Sequence, residues 1–199
     1  MIPFPIYKEP TVHYTDDLSF LKDIKGEVAF DFETTGLKPH GVGHRIVCCA
    51  VAISEDECYV FLMPKSRKER EPLVEFLENP NIGKIAANMK FEIAWSKEKL
   101  EVDVQGWAHD TMIMAHILDN REGITNLAFQ TYMHFGIVDF KDETQPYLEA
   151  DKKNANSINT AMELMALPGG SAKLMGRCAD DAIFEYRLKK LQESELLTF

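Results

Sequence analysis

AFDFETTGL, residues 29–37, is the most informative segment of this sequence. Its apolar residues predict the end of a buried strand, and the following Thr-Thr-Gly predicts the turn that ends it. Asp31 and Glu33 are two residues apart, so a strand points both carboxylates to the same face. Neighbouring acids repel each other unless water, a base or a cation compensates. The pair therefore indicates either a divalent metal site or a solvated strand end.

The segments around this stretch predict an α/β fold. Strands are expected at 27–33, 45–53, 58–63, 84–87 and 102–104, with the second and third forming a hairpin. Helices are expected from about 71 with Pro72 in the first turn, from about 88, and at 110–118, 126–135 and 171–196. Asp110 is expected to cap its helix, and neither His109 nor His116 is favoured as a ligand. Strands that precede a cluster of helices predict a sheet layered with helices.

The length of 199 residues predicts a single domain, 1–199, with an N-terminal extension over 1–20 and an irregular excursion over 139–170. No stretch approaches the roughly 20 apolar residues that span a bilayer, and the N-terminus lacks the pattern of a secretory signal. We therefore expect a cytoplasmic protein without a membrane partner. The four cysteines lack metal-site spacing and are expected to be small buried hydrophobic residues.

A formal charge of −10 argues against a protein that coats nucleic acid by bulk electrostatics. It does not exclude an enzyme that acts on nucleic acid, because bound divalent cations invert the local charge of a carboxylate site.

Three segments together resemble the motifs of the DEDD, or DnaQ-like, superfamily of 3′-5′ exonucleases. AFDFETTGL resembles the first motif. Residues 87–92, ANMKFE, resemble the second, with Glu92 where the family usually has Asp. Residues 177–188, RCADDAIFEYRL, resemble the Tyr-x-x-x-Asp-Ala segment of the DEDDy branch, which includes proofreading domains of DNA polymerase I-like enzymes, phage ones among them. Asp181 falls on the acid of that segment, and Asp180 is the alternative register.

The third motif departs from the family at Arg177, where the tyrosine that orients the attacking water is expected. A protonated guanidinium cannot act as a base, but it can bind the scissile phosphate. Two other spacings are alternatives for the missing residue, Tyr147 with Asp151 and His134 with Asp139, and both border the irregular stretch. Neither is preferred.

The resemblance implies an RNase H-like fold with a mixed central sheet flanked by helices. It implies two Mg²⁺ or Mn²⁺ ions held by Asp31, Glu33, Glu92 and Asp181, with Arg177 beside them in the catalytic set. It also implies that the 3′-terminal nucleotide and its strand contact Thr34, Leu37, Asn88 and Phe91, although a core position is an equal alternative for Phe91.

The function that the resemblance implies is hydrolysis of phosphodiester bonds from the 3′ end of single-stranded DNA. Such a chain is either a freestanding nuclease or a domain of a larger polymerase, with a polymerase domain or replication protein as a partner. The alternatives are a catalytically impaired module that binds single strands or a partner, and an enzyme that trims RNA 3′ ends. Five basic side chains are candidates either to guide the nucleic-acid strand or to be ordinary surface charges: Lys65, Arg67, Lys68, Lys84 and Lys90.

Overall fold

The computed structural model describes residues 8–137, 143–151, 154 and 156–197. A six-stranded sheet in the order β1-β4-β3-β2-β5-β6 forms its centre, and helices cover both faces. The strands are β1 (Thr11–Tyr14), β2 (Gly26–Thr34), β3 (Ile46–Ala52), β4 (Glu57–Leu62), β5 (Ile82–Ala86) and β6 (Trp107–Asp110). The α-helices are α1 (Arg67–Glu78), α2 (Met89–Trp95), α3 (Thr111–Leu118), α4 (Leu127–Phe135), α5 (Gln145–Leu148), α6 (Ala161–Ala166) and α7 (Gly170–Leu196).

The sheet is mixed, as expected. β2, β3 and β4 form an antiparallel meander, which confirms the predicted hairpin, whereas β5 and β6 join on the other side in parallel. Every residue of β3 is buried, because helices pack on both of its faces. α1 and α2 cover one face, and α6 and α7 cover the other. The four cysteines are free and buried, as the sequence predicts.

Two predicted elements need correction. α1 begins at Arg67, because Ser66 and Glu69 form a reciprocal capping box, and Pro72 therefore lies inside the helix and not in its first turn. Residues 102–104 form no strand; Val102 and Val104 are buried in the core, and the strand that pairs with β5 is β6. Burial of apolar side chains in a connecting segment produced the misleading pattern.

The predicted N-terminal extension includes β1, which pairs in parallel with β4 at the edge of the sheet. Its four residues, TVHY, are mostly half-exposed or exposed, so their pattern carried little strand signal. The predicted irregular excursion over 139–170 contains the short helices α5 and α6. Asp139, one of the weighed alternatives, lies outside the described residues. Across the described residues, no helix combines the length and apolar composition needed to cross a bilayer.

Candidate metal and nucleotide site

Asp31 and Glu33 lie on the part of β2 that continues past the end of its pairing with β5. The β2–β5 register ends at Ala29 and Ile85, whereas β2 remains paired with β3 through both acids. Strand alternation points Asp31 and Glu33 to the same face as Ala29, which is the face that α7 covers. The two carboxylates therefore meet α7 at the C-terminal end of β2.

α7 brings Asp181 to this pair. One carboxylate oxygen from each of Asp31, Glu33 and Asp181 lies within 4.8 Å of the others. Asp181 is buried. Asp180 lies elsewhere on α7, near Tyr14. The pKa of Tyr14 is raised first by burial of the Tyr14 side chain and then by the charge of Asp180. The structure thus places Asp181 in the cluster, in the register that the sequence favoured.

Arg177 lies among these carboxylates. Its Nε donates to Glu33 Oε1 at 2.9 Å and is 3.8 Å from Asp181 Oδ2, while an Nη atom donates to Thr144 Oγ1 at 3.0 Å. The side chains of Arg177 and Glu33 are each only 11% exposed. The residue that replaces the expected tyrosine is therefore a buried counter-charge to the acidic cluster.

Glu92 lies on α2, near the cluster. It is 2% exposed, and its Oε2 has no hydrogen-bond partner. Burial, followed by the charges of Asp31 and Glu33, raises the pKa of Glu92 well above its usual value. Its carboxylate is not one of the three that lie within 4.8 Å of one another.

The start of α2 is fixed by Asp110. Asn88, the N-cap of α2, has a left-handed backbone with φ 61°, and the N–H groups of Asn88 and Met89 donate to Asp110. The same carboxylate accepts from Met112 and Ile113 at the start of α3, which confirms the predicted capping role. Asp110 therefore positions the helix that carries Glu92.

Glu185 is the site residue that the sequence did not single out. It is 1% exposed, its Oε1 accepts from the Ala87 N–H at 2.9 Å, and its Oε2 has no hydrogen-bond partner. Burial, then the charges of Asp31 and Glu92, raises its pKa well above the usual value. The available signal was its position one helical turn after Asp181, which places both on one helix face.

A small pocket of about 190 Å³ opens beside Glu33. Three predicted substrate contacts, Thr34, Leu37 and Phe91, line it together with Glu33 and Arg177. Within the described residues, Asn88 is not part of this lining. The pocket places a hydroxyl, a large exposed apolar side chain and an aromatic ring next to the acidic cluster, which suits the sugar and base of one nucleotide.

The donors at this site fit a hard divalent cation. Mg²⁺ and Mn²⁺ prefer oxygen ligands, and three carboxylates converge here with the two further buried oxygens of Glu92 and Glu185 that lack a partner. Buried carboxylates without full compensation are costly, so a cation would relieve a repulsion that Arg177 only partly offsets.

Comparisons with known proteins identify the family and the fold of this chain. A family model described as 3′-5′ exonuclease (DNA_pol_A_exo1) matches residues 13–163. This range includes Asp31, Glu33 and Glu92 and ends before Arg177 and Asp181. The chain is also 33% identical over 141 residues to DNA polymerase I of Chloroflexus aurantiacus, and the match covers 63% of this chain but 14% of that polymerase.

Similar solved structures include Brucella melitensis NrnC bound to pGG, with a TM-score of 0.67, 18% identity, and coverage of 96% of this chain and 83% of that chain. NrnC with bound Mg²⁺ gives a TM-score of 0.65 at 18% identity over 94% of this chain and 80% of that chain. The Aedes aegypti Nibbler EXO domain gives 0.66 at 15% identity over 94% of this chain and 89% of that one. These likenesses confirm the predicted RNase H-like fold.

Proposed function

Since this chain belongs to the 3′-5′ exonuclease family, we propose that it removes nucleotides from the 3′ end of single-stranded DNA by a two-metal mechanism. The observation that carries the proposal is the convergence of Asp31, Glu33 and Asp181 beside the pocket that Thr34, Leu37 and Phe91 line. DNA is the first candidate because the 33% identical relative is a DNA polymerase. We expect a cytoplasmic enzyme that acts in a single domain, alone or joined to a polymerase.

The metal ligands in this proposal are Asp31, Glu33 and Asp181 for one Mg²⁺ or Mn²⁺, with Asp31 and Glu92 serving a second. When bound, the cations would lower the pKa of the attacking water and stabilise the leaving 3′ oxygen. The close contact between Arg177 and Glu33 brings a permanent positive charge to the place where the scissile phosphate would lie.

The terminal nucleotide would occupy the pocket beside Glu33. Thr34 Oγ1 donates to the Gly36 carbonyl at 2.9 Å and would accept from a sugar hydroxyl, while Leu37 and Phe91 would hold the base. Leu37 is 60% exposed, which leaves its side chain accessible to an incoming base. Asn88 remains a candidate contact to a more distant part of the strand.

The first test incubates the protein with 5′-labelled single-stranded DNA and RNA in Mg²⁺ or Mn²⁺. We expect a ladder of products shortened from the 3′ end, and Asp181→Asn should reduce it to background because a metal ligand is lost. The matched control is Asp180→Asn, the adjacent acid on another face of α7, which should retain cutting. Products are resolved on a denaturing gel.

Three results would change the proposal. A ladder from RNA and none from DNA would make the protein an RNA 3′-trimming enzyme. Binding without a ladder in either metal would favour the impaired binding module, in which Arg177 and Glu92 mark a lost activity. Loss of cutting in Asp180→Asn but not in Asp181→Asn would show that the site is assigned in the wrong register.

A further inference from the structure

A second, larger groove lies at the same end of the sheet as the acidic cluster. It occupies about 490 Å³ between the start of β3, the end of β4, the start of α1, Leu100 and α6. Its floor is apolar and includes Met162 and Met165, both on α6. Methionine side chains adapt to flat or irregular ligands because they are flexible and polarizable.

The charge of this groove is opposite to that of the chain. Four cationic side chains, Arg45, Lys65, Arg70 and Lys99, line it, and no acid is among its described lining residues. The whole chain has a formal charge of −10, so this grouping is a local reversal. A positively charged concave surface of this kind attracts anions.

These four cationic side chains form no ion pairs of the kind that many other lysines and arginines of the described chain form. Within the described ranges, none of the four forms a salt bridge, whereas Lys97, on the same turn as Lys99, pairs with Asp103 at 2.5 Å. Glu69 lies on the same turn as Arg70, and its carboxylate accepts from the Ser66 N–H in the capping box. After the Ser66 hydrogen bonds, the charges of Arg70 and Lys65 also lower the pKa of Glu69, so Glu69 offsets part of their charge, while no described acid lines the groove beside Arg45 and Lys99.

Arg70 adds a more specific observation. An Nη atom donates to the Lys65 carbonyl at 2.7 Å, which fixes the guanidinium, while its buried Nε has no hydrogen-bond partner. A buried N–H donor without an acceptor is costly. An anionic oxygen bound in the groove would remove that cost.

The groove and the site pocket are connected by hydrogen bonds through Thr35, which follows a lining residue of the pocket and bonds to a lining residue of the groove. Three hydrogen bonds join Thr35 and Arg45. They run from the Thr35 N–H to the Arg45 carbonyl at 3.1 Å, from the Arg45 N–H to Thr35 Oγ1 at 2.9 Å, and from Thr35 Oγ1 to the Arg45 carbonyl at 3.4 Å. On the other side, Asn159 donates through Nδ2 to the Thr34 carbonyl at 3.0 Å. Thr34 and Asn159 line the site pocket, and α6 begins two residues after Asn159.

We propose that this groove binds the sugar-phosphate backbone and bases of the single strand upstream of the 3′-terminal nucleotide. The cations would contact phosphates and the methionine floor would contact bases, which is the combination that single-strand binding uses. The inference rests on the proposed function, because it assumes that the 3′ end lies in the site pocket. The groove would be the surface through which this acidic protein holds a polyanion.

The test compares binding and cutting of 5′-labelled dT12 and rU12. Binding is measured by fluorescence anisotropy in EDTA over a range of NaCl concentrations, and cutting is measured in Mn²⁺. The groove variant is Lys65→Gln/Lys99→Gln. The matched control is Lys22→Gln/Lys97→Gln, which removes two exposed lysines that pair with Glu75 and Asp103 away from the groove.

Loss of two phosphate contacts should lower the salt slope of log affinity by about 1.4 and weaken binding about 20-fold at 0.1 M salt. We expect this in the groove variant alone, with a raised KM and an unchanged kcat. Losses with both dT12 and rU12 would mean that the groove reads the phosphodiester chain common to both, and a loss with one only would assign it to that nucleic acid.

Failure of the groove proposal and failure of the exonuclease proposal give different results. Equal affinity and equal salt slope in the groove variant and the control, with normal cutting by the unmodified protein, would overturn the groove and leave the exonuclease proposal standing. Binding of dT12 or rU12 without cutting by the unmodified protein would overturn the exonuclease, while the anisotropy comparison would still decide the groove. Absence of binding to either oligonucleotide by the unmodified protein would overturn the groove proposal.

Discussion

Arg177 shows how one residue changes the balance of charge at this site. Five carboxyl groups, those of Asp31, Glu33, Glu92, Asp181 and Glu185, lie in or beside the cluster, and Arg177 contacts two of them. Without a cation, the guanidinium is the compensating charge that the described structure provides at Glu33. We therefore expect a bound metal ion and Arg177 to compete for the same carboxylates.

Arg177→Gln is expected to destabilise the metal-free protein by about 3 kcal/mol, because it leaves a buried carboxylate without its partner. The loss should be smaller in Mn²⁺, since the cation then compensates the same oxygens, so the variant gains more stability from metal than the unmodified protein does. Urea unfolding with EDTA and with Mn²⁺ measures both values.

The matched control is Arg121→Gln, which breaks an exposed ion pair with Asp119 and should change stability by less than about 1 kcal/mol in either condition. If Arg177→Gln lost the same stability with and without Mn²⁺, competition between the guanidinium and the metal would be wrong.

At the scale of a single element, β5 carries a buried charge that the sequence misassigned. From the sequence, Lys84 was expected either to guide the nucleic-acid strand or to be a surface charge, but its side chain is 0% exposed. Its Nζ donates to the Asn79 carbonyl at 2.5 Å and lies 5.2 Å from the centre of the Phe76 ring. Burial lowers its pKa from 10.5 to about 8. Lys84 is thus a structural lysine that closes the turn before β5.

The lowered pKa of Lys84 predicts a pH dependence of stability. Between pH 8 and 10.5 the unfolded chain binds more protons at this lysine than the folded chain, so Lys84 makes the fold more stable as the pH rises. From pH 7 to pH 10 the unmodified protein should gain about 2 kcal/mol relative to Lys84→Met. The free energy of unfolding in urea at both pH values measures this gain.

Lys25→Met, at an exposed lysine outside the core, should follow the unmodified protein across the same range. A difference between Lys84→Met and the unmodified protein that stays constant from pH 7 to pH 10 would contradict the lowered pKa.

At the scale of the whole molecule, α7 joins parts of the chain that are far apart in sequence. It packs on β2, β3 and β4 and also contacts α3, α4 and α6. Arg187 is 5% exposed and donates to the Glu55 carbonyl at 2.7 Å and to the Lys8 carbonyl at 3.1 Å. These bonds tie α7 to the β3–β4 hairpin and to the segment before β1.

Arg187→Met is expected to lower the free energy of unfolding by about 2 kcal/mol, because two carbonyl groups lose a charged donor. Lys190→Met is the matched control. Lys190 pairs with the exposed Glu55 carboxylate, so its loss should change stability by less than about 0.5 kcal/mol. Thermal and urea unfolding compare the two variants, and equal effects would show that Arg187 does not join these segments.

Local patterns predicted much of this fold. The hairpin, the four longest helices after adjustment of their ends, and the α/β class follow from apolar runs and from caps such as Asp110. The start of α1 was misplaced because the prediction relied on Pro72 and did not use the capping box of Ser66 and Glu69. β1 was not predicted because an edge strand of four residues is stabilised by its partner β4 and has little pattern of its own.

The sequence alone determined that Asp31 and Glu33 share one face of their strand, because side chains in a strand alternate with a period of 2 wherever the strand lies. Only the tertiary structure placed Arg177 against Glu33, Glu185 beside the cluster and four cations around one groove. Arg177 and Glu33 are 144 residues apart, and Glu185 bonds to a backbone 98 residues away. Contacts over such separations depend on how α7 packs across the sheet, and no local pattern encodes that packing.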